Sequence, residues 1–93
     1  MLTKRQQQLY DSFYESTHRN EFLDQKTEVL VGLAAAMAMN CGPCTRYYLE
    51  QSKKAGLSEG EISEVLAKVM AVAAGQKRLQ MQEVVTRYDL DIV

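Results

Sequence analysis

Both cysteines of this 93-residue chain stand in one tetrapeptide, Cys41-Gly42-Pro43-Cys44, which also contains the only proline. Two cysteines three positions apart at a helix start can close a small disulfide ring. The first-turn amides favour a thiolate by about 0.3 to 1 kcal/mol, and by about 2 kcal/mol at most. This lowers a thiol pKa of about 8.5 by roughly one unit. The pair therefore suits thiol–disulfide exchange or peroxide reduction, in which one sulfur attacks and the other resolves the intermediate.

Three other interpretations of the cysteine pair compete with redox chemistry. A closed tetrahedral metal site needs four ligands, whereas this chain offers two cysteines and one distant histidine, His18. Only a dimer that shares two pairs would complete such a site, so we expect neither a metal nor a cofactor. Two inert buried thiols are the second alternative. The third is a thioredoxin-like fold, which needs strands around the motif and a cis-proline that this sequence lacks.

The overall composition indicates one small domain, residues 1–93, without an obvious nucleic-acid or membrane partner. The net charge is −1, and the N-terminus lacks the basic-then-apolar order of a secretory signal. The apolar run at 29–39 is far shorter than the roughly 20 residues that span a bilayer. We therefore expect a cytoplasmic protein. In a reducing cytosol a close cysteine pair is more often catalytic or metal-binding than structural.

Hydrophobic periodicity and helix-end signals predict an all-α fold of about five helices. Asp24 is a suitable N-cap for the second helix, Gly56 a stop for the third, and Ser58 with Glu61 a capping box for the fourth. Gly75 predicts a break or kink, after which a fifth helix should end near Tyr88. The predicted ranges of the first three helices are 3–17, 25–39 and 42–55.

The second predicted helix is apolar on every face in its later part, and such a helix must be buried all round. A domain of this size can hardly enclose one helix by itself. We therefore expect its small-residue face, formed by Gly32, Ala35 and Ala36, to pack against another subunit. The alternative is a central helix in a monomeric bundle.

An apolar helix leading into a Cys-x-x-Cys helix start, the segment 53–62 and another apolar helix together resemble one known family. It is the alkylhydroperoxidase AhpD-like and carboxymuconolactone decarboxylase family, and the resemblance covers about residues 26–74. It implies an all-helical bundle that assembles into trimers or hexamers through the helices flanking the cysteines. It also implies that Cys44 is the attacking sulfur, which passes through a sulfenic acid, and that Cys41 is its partner.

Peroxidases of this family also carry a proton relay, and the sequence departs from it at each relay position. Val29 stands where the family has glutamate, and Glu28 is one residue out of phase. Pro43 and Tyr48 stand where the family has histidines. The resemblance therefore leaves open how protons would reach the cysteines.

Two residues are candidates to support the cysteine pair. Tyr48, four residues after Cys44, can donate a hydrogen bond to a thiolate, although a phenol with a pKa near 10 is a poor base. The alternative is that Tyr48 has a structural role only, as an aromatic side chain that faces the core. Glu28 is either a relay carboxylate or a solvated first-turn residue favoured by the helix dipole. We expect His18 to be a surface loop residue, because nothing in sequence brings it to the motif.

The sequence thus predicts a thiol–disulfide oxidoreductase with candidate catalytic residues Cys44, Cys41, Tyr48 and Glu28, and with weak hydroperoxide reductase activity as a further expectation. The expected partners are other copies of the chain, a thiol, disulfide or hydroperoxide substrate, and a redox partner protein. One alternative is a non-catalytic oligomeric or redox-sensing subunit. Another is a lactone-type decarboxylase, but such family members do not depend on a cysteine pair.

Overall fold

The computed structural model describes residues 1–92, which form four α-helices and no strand. These helices are α1 (Lys4–Ser16), α2 (Gln25–Ala38), α3 (Gly42–Lys54) and α4 (Glu59–Arg87). Helix α2 is the central element, because both α3 and α4 pack against it. The prediction of a single small all-α domain is confirmed.

The predicted helix starts are also confirmed, because side chains cap the first free amides. Asp24 Oδ1 accepts the Thr27 N–H at 2.8 Å at the start of α2. Ser58 Oγ accepts the Glu61 N–H at 3.1 Å, and Glu61 Oε1 accepts the Ser58 N–H at 2.9 Å, which completes the capping box of α4. Such caps satisfy amides that have no acceptor within their own helix.

Two residues in the left-handed region of the backbone set the turns on either side of α3. Gly56, with φ of 75°, follows α3 and lets the chain turn into α4. Asn40, with φ of 55°, follows α2, and asparagine tolerates this conformation better than most residues. The next amide, that of Cys41, bonds back to the Ala36 carbonyl at 2.9 Å. The turn at Asn40 and this hydrogen bond together place Cys41 at the N-cap of α3.

The prediction of a helix break at Gly75 is wrong, because α4 runs without interruption for 29 residues. A glycine inside a helix costs only about 1 kcal/mol relative to alanine. Its neighbours Ala73, Ala74, Gln76 and Lys77 all have high helix propensity. The described chain therefore has four helices where about five were expected, and the last one ends at Arg87, close to the predicted Tyr88.

The core of the chain is small and lies along one face of α2. Its buried α2 residues are Val29, Leu33 and Ala36, whereas Val31 on another face is 55% exposed. A single chain therefore covers α2 on one side only, and the expected burial all round does not occur within it.

The expected subunit-facing surface of α2 also needs correction. A Cβ atom added at Gly32 would collide with the ring of Tyr48, so this position is covered by α3 of the same chain. Ala36 is buried within the chain as well. Of the three small residues, only Ala35 is exposed. The small-residue face is mainly an intrachain contact.

The chain exposes far more surface than a folded monomer of its length normally does. Its accessible surface is 7971 Å², against roughly 5,400 Å² expected for a compact monomer of this size. Its radius of gyration is 18.1 Å, against about 12 Å expected. None of the residues of α1, Lys4–Ser16, is buried. Within residues 1–92, no helix is both long and apolar enough to cross a membrane.

Candidate functional site

Cys41 and Cys44 form a disulfide at the start of α3, with their Cα atoms 5.3 Å apart. Gly42 and Pro43 are the first two residues of the helix between them. Proline is well suited to this first turn, because the N–H that it lacks would have had no partner within the helix. The tetrapeptide therefore folds locally into a helix start that carries both sulfurs.

The two sulfurs lie in different environments. Cys41 is half-buried and its Sγ accepts the backbone N–H of Cys44 at 3.3 Å, in the manner of an N-cap side chain. Cys44 is exposed. A thiolate at the N-cap is stabilised by the helix amides, whereas an exposed sulfur is the one that a bulky reactant can reach. The geometry thus separates the accessible sulfur from the sulfur that the helix stabilises as an anion.

Arg46, the cation nearest to the pair in sequence, lies on the outer surface of α3. Its Nε is 3.1 Å from Glu50 Oε1, and both side chains are well exposed. The charge of Arg46 is thus balanced by a neighbour one turn away, and an exposed pair of this kind stabilises a helix by about 0.3 to 0.5 kcal/mol.

Tyr48 lies at the contact between α2 and α3. Its ring covers Gly32, where its Cδ1 would be 2.7 Å from an added Cβ atom. Burial raises the pKa of Tyr48, and the nearby charge of Glu28 raises it further. The phenol is therefore a hydrogen-bond donor at neutral pH rather than a base. Tyr48 thus combines the packing role and the donor capacity considered from sequence.

A polar cleft of about 390 Å³ opens beside Tyr48, one helical turn along α3 from the cysteines. Its walls come from the α1–α2 loop, α2 and α3, and include His18, Arg19, Glu28, Val29, Tyr47 and Tyr48. The cleft brings together the predicted residues Glu28 and Tyr48. Cys41 and Cys44 do not line it; they lie on the same helix, with Cys44 one turn before Tyr48.

His18 is the residue that sequence reasoning missed. Its Nδ1 lies 3.4 Å from Glu28 Oε1, and the two side chains are 25% and 17% exposed, respectively. The imidazole also packs edge-on against Tyr14, with ring centroids 4.8 Å apart, and lies 5.9 Å from the ring of Tyr47. His18 thus lies in the α1–α2 loop, as expected, but its side chain is largely covered by neighbouring side chains. The available signals were Tyr14, one turn earlier, and the short link between His18 and Glu28.

Among residues 1–92 there is no group of three or more histidine, cysteine, aspartate or glutamate side chains that could hold a metal ion.

Fold and site together define an all-helical domain with a cysteine pair at a helix start. The chain belongs to the carboxymuconolactone decarboxylase family, which includes the AhpD-like proteins, and the match covers residues 6–86. The resemblance recognised over residues 26–74 is thus confirmed and extends into α1 and the second half of α4.

A solved structure supports the same fold. A protein from Methanobacterium thermoautotrophicum, whose crystal structure was determined in a structural genomics programme, is similar with a TM-score of 0.80. The similarity covers 88% of this chain and 94% of that one, at 24% sequence identity, so it concerns the fold alone. No curated protein matches the chain.

Proposed function

We propose that the chain is a thiol–disulfide oxidoreductase that cycles Cys41 and Cys44 between dithiol and disulfide. The observation that carries this proposal is the disulfide at the start of α3, with Cys44 exposed and Cys41 bonded to a helix amide. Such a pair has one sulfur that reactants can reach and a second sulfur that leaves readily as a thiolate.

In the reductive direction, the Cys44 thiolate attacks one sulfur of a substrate disulfide. A bond forms between Cys44 and that sulfur, and the other substrate sulfur leaves as a thiolate. The Cys41 thiolate then attacks Cys44 and releases the second substrate thiolate. Two electrons pass to the substrate, its two sulfurs take up the two thiol protons, and the protein is left as the disulfide.

The same pair supports reduction of a hydroperoxide. The Cys44 thiolate attacks the terminal oxygen, the O–O bond breaks, and the alkoxide leaves as an alcohol after taking up a proton. Cys44 becomes a sulfenic acid, which condenses with the Cys41 thiol to give the disulfide and water. An external dithiol returns the protein to its reduced form, at the cost of its own oxidation.

The family name by itself does not assign a decarboxylase activity to this chain. The decarboxylase alternative gives the cysteine pair no role, whereas the redox proposal accounts for its position, exposure and hydrogen bond. Glu28 and Tyr48 fit the redox proposal as groups that support the pair from the cleft one turn away.

We propose further that the chain works as a homo-oligomer, and a trimer or hexamer fits the family. Its accessible surface of 7971 Å² exceeds that of a compact monomer by about 2,500 Å² per chain. A standard two-chain interface buries only about 800 Å² on each partner. Oligomerisation is equally compatible with the alternative of a redox-sensing subunit, in which the disulfide controls assembly instead of turnover.

The test is a comparison of Cys44→Ser and Cys41→Ser in the reduction of a chromogenic aromatic disulfide. We expect Cys44→Ser to lose turnover. Cys41→Ser should complete the first half-reaction and retain the substrate fragment on Cys44, which mass spectrometry of the peptide would detect. Equal and undiminished turnover in both variants would overturn the mechanism. If the wild type shows no turnover and its assembly changes on reduction, the sensing-subunit alternative is favoured.

A further inference from the structure

Helix α1 is the only helix of residues 1–92 in which every residue is exposed. Leu9, Tyr10 and Phe13 are 59%, 52% and 67% exposed, respectively. Their side chains project within about 100° of one another around the helix, so they form one apolar side of α1. An exposed apolar side of a helix is typical of a surface that binds a partner.

An apolar groove runs between α2 and α4 on an outer face of the chain. It consists of two adjoining hollows of about 330 and 400 Å³, which share Ala34 and Lys68 in their walls. One wall is made of small side chains of α2 and the other of valines of α4: Ala34, Ala35 and Ala38, and Val65, Val69 and Val72. Because the alanines fill little of the groove, it has room for larger side chains from outside.

The groove has the length of α1. It extends along α4 from Glu61 to Gln76, which is about 22 Å at the helical rise of 1.5 Å per residue. Helix α1 has 13 residues and is therefore about 20 Å long. An amphipathic helix that lays its apolar side into a hydrophobic groove is a common mode of protein recognition.

The α1 of the same chain lies on the other side of α2. Its end is held near α3, because the ring of Tyr14 packs against His18, and His18 lies 5.9 Å from the ring of Tyr47. Gly32, which α3 covers, and Ala34, which lines the groove, are about 200° apart around α2. No residue of α1 lines either hollow. A helix that occupies the groove therefore comes from another molecule.

We propose that α1 of a second copy of the chain lies in the groove between α2 and α4. The inference rests on the proposed homo-oligomer and names the interface that holds it together. Each chain then takes part in two contacts, one through its own α1 and one through its groove. Its accessible surface of 7971 Å² exceeds that of a compact monomer by about 2,500 Å². A standard contact buries about 800 Å² on each partner, so the chain has surface enough for both.

Charges on the two surfaces fix the direction of the docked helix. Arg5 precedes Phe13 by eight residues, on the same side of α1 as Leu9. Glu64 lies in the wall of the groove, eight residues before Val72. An α1 that runs parallel to α4 with Phe13 beside Val72 therefore places Arg5 beside Glu64. Both charged side chains are exposed, and neither has an ion-pair partner within residues 1–92. Complementary charges of this kind set the register of an interface more than its strength.

A disulfide cross-link tests the contact directly. Leu9→Cys and Ala34→Cys are introduced together into Cys41→Ser, Cys44→Ser protein, in which a serine at the N-cap preserves the start of α3. After oxidation we expect covalent dimers or longer chains on a non-reducing denaturing gel, joined through positions 9 and 34 in the peptide mass spectrum. A product of monomer mass would mean that α1 folds onto its own groove and would overturn the proposal. Asp11→Cys with Ala34→Cys is the control, because Asp11 lies on the opposite side of α1, and it should give little cross-linked product.

A mixing experiment tests the contact without added cysteines. Phe13→Asp places a charge on the docking side of α1, and Ala35→Glu places one in the groove, so each should weaken self-association at least about tenfold in sedimentation equilibrium. When the two variants are mixed, the intact α1 of one meets the intact groove of the other, and we expect association tighter than that of either alone. No gain on mixing would overturn the proposal. Gln8→Asp, on a different side of α1, is the matched control and should associate like the wild type.

Turnover of an aromatic disulfide by the wild type separates this inference from the proposed redox function. A chain that forms the cross-linked dimer but reduces no disulfide would refute the redox function alone. A chain that reduces the disulfide but gives neither the cross-link nor the gain on mixing would refute this interface alone.

Discussion

Position 32 must be glycine because the Tyr48 ring packs directly on the backbone there. An added Cβ at Gly32 has no room, because three atoms of the Tyr48 ring would lie closer to it than real Cβ contacts allow. The absence of a side chain on α2 is what lets an aromatic ring from α3 lie directly on the backbone. This contact holds the phenol in the cleft beside Glu28.

We therefore expect Gly32→Ala to destabilise the protein although alanine is the better helix former. Overpacking costs about 1 to 3 kcal/mol, and the gain in helix propensity returns at most about 1 kcal/mol. Thermal unfolding followed by circular dichroism would show a lower midpoint. A midpoint equal to or above that of the wild type would contradict the packing described for Tyr48.

The capping carboxylates predict how stability depends on pH. Hydrogen bonds from Thr27 hold the pKa of Asp24 below its usual 3.8, and hydrogen bonds from Ser58 hold the pKa of Glu61 below its usual 4.5. A lowered carboxyl pKa means that the unfolded chain binds the proton more tightly. Both caps therefore stabilise the fold fully above about pH 5, and this contribution is lost as the pH falls through the lowered values.

We expect the double variant Asp24→Asn, Glu61→Gln to lose less stability than the wild type as the pH falls. Denaturant unfolding at pH 7 and at pH 3 would measure it: the wild type should lose more stability between the two values than the double variant does. Equal losses would show that the two caps make no pH-dependent contribution. Asparagine remains a good N-cap, so the comparison removes the charge while it keeps the cap.

Residues whose partners are close in sequence were predictable, and those with distant partners were not. Asp24 and Ser58 satisfy amides three positions away, so their patterns indicate helix starts directly. The Cys41 and Cys44 site belongs to the same class. His18 contacts Glu28 only because the α1–α2 loop returns to the start of α2, and no local pattern reports that path.

Helix α4 shows that a glycine inside a sequence does not always break a helix. Its 29 residues pass through Gly75, where a Cβ would meet no atom within 4 Å. The helix continues because the cost of one glycine is small beside the hydrogen bonds that a break would lose. The sequence pattern correctly predicted both ends of this helix and misjudged only its middle.

Gly75→Ala is the counterpart of the change at Gly32. With open space for the added methyl group and a helical backbone, we expect a gain of up to about 1 kcal/mol and a midpoint several degrees higher. Thermal unfolding under the same conditions as for Gly32→Ala measures it. A destabilised Gly75→Ala protein would indicate that another chain covers this face of α4.

Across the whole chain, many of the exposed large apolar side chains lie on α1 and α4. Val72 and Leu79, in the second half of α4, are 65% and 62% exposed, and Leu9 and Phe13 of α1 are also well exposed. Residues seven or four apart share one face of a helix, so each pair lies on one uncovered face, and exposed apolar faces are typical of protein interaction sites. The apolar composition of α2 predicted that a partner would be needed, but not that α1 and α4 would offer the larger uncovered surfaces.

Assembly should therefore depend on α4. We expect sedimentation equilibrium to give a mass several times that of one chain, and Val72→Lys with Leu79→Lys to reduce it, because a charge in an apolar interface is costly. Gln82→Lys, at an exposed polar position on the same helix, is the matched control and should leave the mass unchanged. A wild-type protein that sediments as a monomer would refute the oligomer proposal.

The hydrogen bond from the Cys44 amide to Cys41 Sγ couples the exchange rate of this amide to the redox state of the cysteine pair. In the disulfide form the acceptor is a neutral sulfur, whereas a reduced Cys41 that has lost its thiol proton is an anionic acceptor, and a charged acceptor binds an amide more strongly. Exchange of this one amide with deuterated solvent should therefore slow when Cys41 becomes an anion. The first turn of α3 would then report electron transfer without any added dye, substrate or label.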